Sequence, residues 1–128
     1  MGLGDCNVDP VIAVSDLSRS REFYEGRLGL VPIEDDGDGG CLYGCGEGTG
    51  LYIYPSPGRA GKTTATMAGW TVPDLDAMIA ELEESGVPMV HYDEPGLKTD
   101  EKGIFSDGDH RIAWFQDPDG NTFAIEGE

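Results

Sequence analysis

A repeated anchor constrains this chain more than any other feature. Val14–Leu17 reads VSDL and Val72–Leu75 reads VPDL, while Leu30–Pro32 reads LVP and Gly86–Pro88 reads GVP. The stretch between each pair of anchors is helically patterned and of nearly equal length. Two anchors in register across such a stretch make the chain a tandem of two like modules. At 128 residues it has the length of one domain and can bury a core without disulfide or metal staples.

Each half reads strand, helix, then several strands. In the first, Pro10–Val14 is apolar and β-branched, the pattern of a buried strand. Ser15 or Asp16 caps the following helix, because a short side-chain oxygen satisfies the orphan amides of a first turn. Leu17, Tyr24 and Leu28 share one stripe, with Arg19, Arg21, Glu22 and Glu25 elsewhere, and Gly29 ends the helix. EDDGDGG over 34–40 is a turn between strands at Val31–Ile33 and Cys41–Cys45, and GEGTG leads into Leu51–Tyr54. PSPGRAGKTT over 55–64 joins the halves.

In the second half Thr66–Val72 is a strand, and Asp74 caps an amphipathic helix. Its Leu75, Met78, Ile79 and Leu82 follow i, i+3, i+4, i+7, with Glu81, Glu83 and Glu84 outside. Gly86 stops it and Pro88 prevents its resumption. Met89–Tyr92 is a strand, PGLKTDEKG a long loop and Ile104–Phe105 a short strand. SDGD over 106–109 turns the chain into Arg111–Phe115, and DPDG over 117–120 turns it into Asn121–Ile125. Trp70 shares a face with Ala68 and Val72, so it should point toward the helices, as should Phe123, Ile125 and Trp114. The expected fold class is α+β: two βαβββ modules, at about 8–56 and about 65–128 with a linker at about 57–64, each with a helix on one side of a four-stranded sheet. The other, concave sheet face stays free.

Eight basic residues stand against 25 acidic ones, a formal charge of −17. Nucleic acid and anionic membrane would both meet a repulsive field, so neither is expected as a partner. No apolar run approaches the roughly 20 residues of a transmembrane helix. MGLGDCNVDP shows no basic segment followed by an apolar one, which leaves a soluble, cytoplasmic protein as the expectation. The carboxylate-rich, Lys-poor composition suits hydration in strong salt, and it equally suits an acidic proteome encoded by a GC-rich genome. Three cysteines are an odd number for a disulfide framework. Cys41 and Cys45 have no second pair or nearby His to complete a zinc site, and read as packing residues on one strand face.

Two motifs fail on inspection. GRAGKTT contains GKT, but Ser56 stands where a phosphate loop needs glycine, and β-prone residues follow where a helix must open. GCGEGTG lacks the strand–helix context of a dinucleotide fingerprint. No Ser/His/Asp set is legible. His91 and His110 fall on different strands, and His110, beside a DGD turn, should be exposed.

VIAVSDLSRSREFYEGRLGLVPI (11–33), VPDLDAMIAELEESGVPM (72–89) and RIAWFQDPDGNTFAIEGE (111–128) resemble the vicinal oxygen chelate superfamily, which holds glyoxalase I, bleomycin resistance proteins, extradiol dioxygenases and fosfomycin resistance proteins. The resemblance covers nearly the whole chain and implies a cupped half-barrel, a homodimer and a divalent metal held by four side chains in the cup. Such a metal acts as a Lewis acid on two adjacent substrate oxygens. Carried onto this sequence, the four positions are Asp9, Tyr52 (to within one residue), Met67 and Ala124. Asp9 alone suits a hard divalent ion, while Tyr52 is a poor ligand, Met67 favours soft metals and Ala124 offers no donor. Glu126 lies on the same strand face as Ala124, so a register slip brings a second carboxylate.

Strand parity places Asp9, Val11, Tyr52, Tyr54, Met67, Ala124 and Glu126 on the concave face, an apolar and partly aromatic surface with a few polar groups. That is the composition of a small-molecule pocket. The expected function is a metal-independent ligand binder, without cofactor. The alternatives are a metal-dependent lyase or dioxygenase using a non-standard set that includes Asp9 and Glu126, and a structural module whose pocket has filled in.

Overall fold

Both helices begin where an aspartate caps them. In the computed structural model, which describes residues 2–127, Asp16 accepts from the Arg19 amide over 3.1 Å and Asp74 from the Ala77 amide over 3.0 Å. The chain divides into two compact units, one ending at Lys62 and the next beginning at Thr63. Glu128, the last residue of the expected second module, lies outside the described residues.

The first unit contains β1 (Val11–Val14), α1 (Leu17–Arg21, continuing as a π-helical stretch over Glu22–Arg27), β2 (Val31–Asp35), β3 (Cys41–Gly44) and β4 (Gly50–Pro55). Its sheet runs β1-β4-β3-β2, with β1 parallel to β4 and the other pairs antiparallel. The helix widens where the Leu28 amide reaches back to the Phe23 carbonyl at 3.0 Å. Gly29, at φ 74, then turns the chain into β2.

This widening changes the expected stripe. Phe23 and Tyr24, adjacent in sequence, are both buried, whereas Leu17 and Leu28 are half-buried. A π-helical turn has more residues per turn than an α-helix and shifts which ones face inward. Ile12, Val14, Cys41, Tyr43, Leu51 and Ile53 complete this core, and Tyr24 stacks on Tyr43 with centroids 5.9 Å apart. A polar network closes its edge. Arg21 pairs with Glu25 at 2.6 Å and Asp35 at 2.8 Å, and the Tyr43 hydroxyl donates to Glu25 at 2.9 Å. Cys45 falls just past β3, so it does not share a strand with Cys41.

The second unit holds β5 (Thr66–Thr71), α2 (Leu75–Glu84), a small hairpin of β6 (Asp93–Glu94) and β7 (Leu97–Lys98), β8 (Phe105–Asp107), β9 (His110–Gln116) and β10 (Thr122–Gly127). Its main sheet runs β5-β10-β9-β8. Trp70 stacks on Phe115 at 5.9 Å and packs on Phe123 at 5.7 Å, beside buried Leu75, Ile79, Leu82, Ala113 and Ile125. Trp70, Phe123 and Ile125 thus face the core as their parity predicts.

Three expectations are corrected here. Met89–Tyr92 is not a strand: one bond, from the Val90 amide to the Trp114 carbonyl at 2.7 Å, ties it to β9. At Tyr92 the backbone closes instead on Thr99, with Tyr92 N–H donating to Thr99 Oγ1 at 2.8 Å and the Thr99 amide to the Tyr92 carbonyl at 2.9 Å. That closure makes β7 out of the stretch expected to be loop, paired with β6 just before it. Asn121 belongs to the turn before β10, where its amide and side chain bond Asp117 at 2.9 and 2.8 Å. Trp114 does not face the helix. It pairs with Ala124 across the β9–β10 ladder, while its neighbour Phe115 pairs with core residue Phe123, and alternate strand residues point to opposite faces.

Candidate functional site

Within each unit, among the described residues, the helix packs against one face of the sheet and leaves the opposite face to other side chains. In the first unit that open face follows from register. Val11 opposes Tyr52, Ala13 opposes Tyr54 and Leu42 opposes Tyr52. Asp9 reaches the same face, its Oδ1 lying 3.4 Å from where a Cβ on Gly50 would stand. Asp9, Val11, Tyr52 and Tyr54 therefore share one face of this sheet. Val11, Val31 and Ile33 leave 57%, 66% and 63% of their surfaces exposed, so the face is apolar and open. The Tyr52 hydroxyl is already used: it donates to Asp36 at 3.0 Å and lies 3.3 Å from the Gly39 carbonyl. Asp36 above all holds that phenol in its protonated form, raising its pKa. The Tyr52 oxygen is thus engaged in hydrogen bonds that hold the ring in place.

The open face of the second unit is built around a tryptophan that sequence parity placed elsewhere. Trp114 sits on β9, yet its indole N–H donates to Thr66 Oγ1 on β5 at 3.2 Å. β10 lies between those strands, and two strand spacings amount to about 10 Å. The indole must therefore lie across β10, which is possible because the residue beneath it, Ala124, is small. A bulge assists. Thr122 pairs with Thr66 and Phe123 with Ala68, leaving Met67 as the extra residue of β5. The bulge breaks the simple alternation from which Met67 was assigned and brings Thr66 to Trp114. Tyr92 meets the indole edge-on with centroids 5.3 Å apart, and Phe105 lies at 6.3 Å. Burial raises the Tyr92 phenol pKa, so it stays protonated.

Glu126, two residues beyond Ala124 on β10, shares this face and opposes Ile112. Its Oε2 lies 3.5 Å from His110 Nδ1 on β9, with side chains 46% and 75% exposed respectively. His91 is exposed. Trp114, Thr66, Tyr92 and Phe105 are the site residues that the sequence reading missed. A signal for Trp114 existed: adjacent Trp114 and Phe115 cannot both face the helix, and Phe115 has the aromatic partner Phe123.

The four positions at which the resemblance implies a metal do not fit one. In the first unit Asp9 is a donor, but the Tyr52 oxygen is committed to Asp36. In the second, Met67 is a soft thioether and Ala124 a methyl under an indole. Among the described residues no three His, Cys, Asp or Glu side chains converge on a metal-sized space. Glu126 and His110 make a donor pair without a third member.

Comparison with known proteins gives the framework. No described helix is long and apolar enough to cross a membrane, and no curated protein matches the chain. Among solved structures, the chain resembles a glyoxalase/bleomycin resistance protein from Catenulispora acidiphila DSM 44928, with 24% identity and a TM-score of 0.73 over 95% of this chain and 97% of that one. It resembles TnmS3, an antibiotic binding protein from Streptomyces sp. CB03234, at 23% identity and TM-score 0.68 over 96% and 97% of the two chains. The fosfomycin resistance protein FosX from Listeria monocytogenes matches at 13% identity and TM-score 0.69, over 95% and 92%. At such identities the likeness speaks for the α+β fold alone. A family model matches residues 7–125, and the chain belongs to the Glyoxalase/Bleomycin resistance protein/Dioxygenase superfamily.

Proposed function

We propose that this protein binds a small organic ligand on the open face of its second sheet, without a metal. The carrying observation is Trp114 lying across β10 above Ala124, held by Thr66 at 3.2 Å. An aromatic platform there occupies the fourth family metal position, and an indole face offers a flat ligand both dispersion and quadrupole attraction. The donor-poor set of Asp9, Tyr52, Met67 and Ala124 favours the same reading. So does the similarity in fold to a protein described as antibiotic binding. We also assign a homodimer, for which light scattering should give twice the 13.7 kDa chain mass.

Binding is tested by thermal shift of the full chain against a panel of flat aromatic metabolites. A ligand selective for the folded state raises the melting point by mass action, and Trp114→Leu should abolish that rise. Elemental analysis of protein purified without chelator separates the alternatives. Near-stoichiometric zinc, nickel, manganese or iron would replace the binder with a metal-dependent lyase or dioxygenase.

A further inference from the structure

We propose that the ligand of this site is a planar aromatic cation, an inference that rests on the binding reading above and adds the chemical class. Register places Glu126 diagonally from Trp114: Trp114 opposes Ala124, Glu126 opposes Ile112, and diagonal neighbours on adjacent strands lie about 7–8 Å apart. A fused ring system stacked on the indole therefore carries a substituent on its far ring toward the Glu126 carboxylate. A cation so placed gains twice, from the carboxylate and from the negative face of the indole, the aromatic that attracts cations best.

The strands that form this face carry little positive charge for an anion. Among the described strands of the two four-stranded sheets, the basic residue of Lys or Arg type is Arg111, while Lys98 lies on the small β6–β7 hairpin. Arg111 points to the helix side, where it bonds Asp76 at 3.2 and 3.3 Å. His110 adjoins Glu126 with its Nδ1 3.5 Å from the carboxylate, and both side chains are open to solvent. The net charge of −17 acts in the same direction, concentrating cations near the surface and repelling anions. Phosphonates, carboxylates and sulfonates are therefore poor ligands for this platform, and ring systems carrying an amidinium, ammonium or protonated ring nitrogen are good ones.

The test is isothermal titration calorimetry of the full chain with proflavine, a flat tricyclic cation, and with anthraquinone-2-sulfonate, a flat tricyclic anion. Proflavine should bind saturably at one per chain and the sulfonate should not. Glu126→Gln should weaken proflavine about tenfold, as expected for losing a charged partner. Trp114→Leu should weaken it at least as much, whereas Glu83→Gln on the exposed side of α2 should change nothing. Far-UV circular dichroism confirms that each variant is folded. If the sulfonate binds through Trp114 and proflavine does not, the cation class is overturned while the binding site stands. Should neither probe bind, class and site both fall. Proflavine binding untouched by either substitution would show mere adherence to an acidic surface, and would also overturn the proposal.

Discussion

Replacing Tyr43 by Phe removes one hydroxyl from inside the first unit and leaves the ring that stacks on Tyr24 at 5.9 Å. That hydroxyl donates to Glu25 over 2.9 Å, and a hydrogen bond to a charged acceptor contributes about 1.5–3 kcal/mol. Glu25 keeps its 2.6 Å partner Arg21, and its side chain is 31% exposed, so water can take the vacated position. The loss should then fall at the lower end, about 1.5 kcal/mol at pH 7. It should also depend on pH. Arg21 most strongly, and Tyr43 as well, hold the Glu25 carboxyl below its ordinary range. A carboxyl lowered in the fold stabilises above its unfolded value, about 4.3 for Glu, and that stabilisation fades as pH falls through the lower folded value. Parent and variant should therefore differ most at neutral pH and converge as pH falls below the ordinary Glu range. Urea denaturation followed by far-UV circular dichroism measures this, since the first unit contains no tryptophan to follow by fluorescence. An unchanged midpoint at pH 7, or a loss equally large in acid, would refute the reasoning.

Three further outcomes are expected. Asp117→Ala strips acceptors from the Asp119 and Asn121 amides and the Asn121 side chain, bonds of 2.9, 2.9 and 2.8 Å; urea midpoints should show a loss of about 2–4 kcal/mol, since buried donors left unpaired cost about 1–3 kcal/mol each. Asp74→Ala removes the α2 cap and should cost about 1 kcal/mol by the same measurement, with Asp74→Asn restoring most of it. Dialysis against EDTA should leave the melting temperature unchanged, and a drop of several degrees would point to a retained structural metal.

Much of the fold is local and could be read locally. Asp16 and Asp74 cap their helices because a carboxylate one turn before an apolar stripe has few better uses. Gly29 and Gly86 end them at φ 74 and 86, where side chains are disfavoured. Alternation sorted Ile12, Val14, Leu51 and Ile53 from Val11, Tyr52 and Tyr54 for the same reason: a strand's side-chain period is two. Local reasoning failed where alternation was interrupted or had competition. The bulge at Met67 shifts β5 by one residue. The Met89–Tyr92 segment has strand-like composition, yet makes one bond to β9 before Thr99 captures its backbone. The π-helical stretch turned Phe23 inward beside Tyr24, a change in helical period that the residue pattern did not announce.

The chemistry of the family positions was determined by the sequence alone: Ala124 has no donor whatever the fold does around it, and the acidic excess is fixed by composition. What fills the place of the missing donor was decided by tertiary structure. Trp114 crosses β10 because β5 and β9 flank that strand and because a bulge presents Thr66 to the indole N–H. Those pairings join residues far apart in the chain, so no local window of sequence contains them.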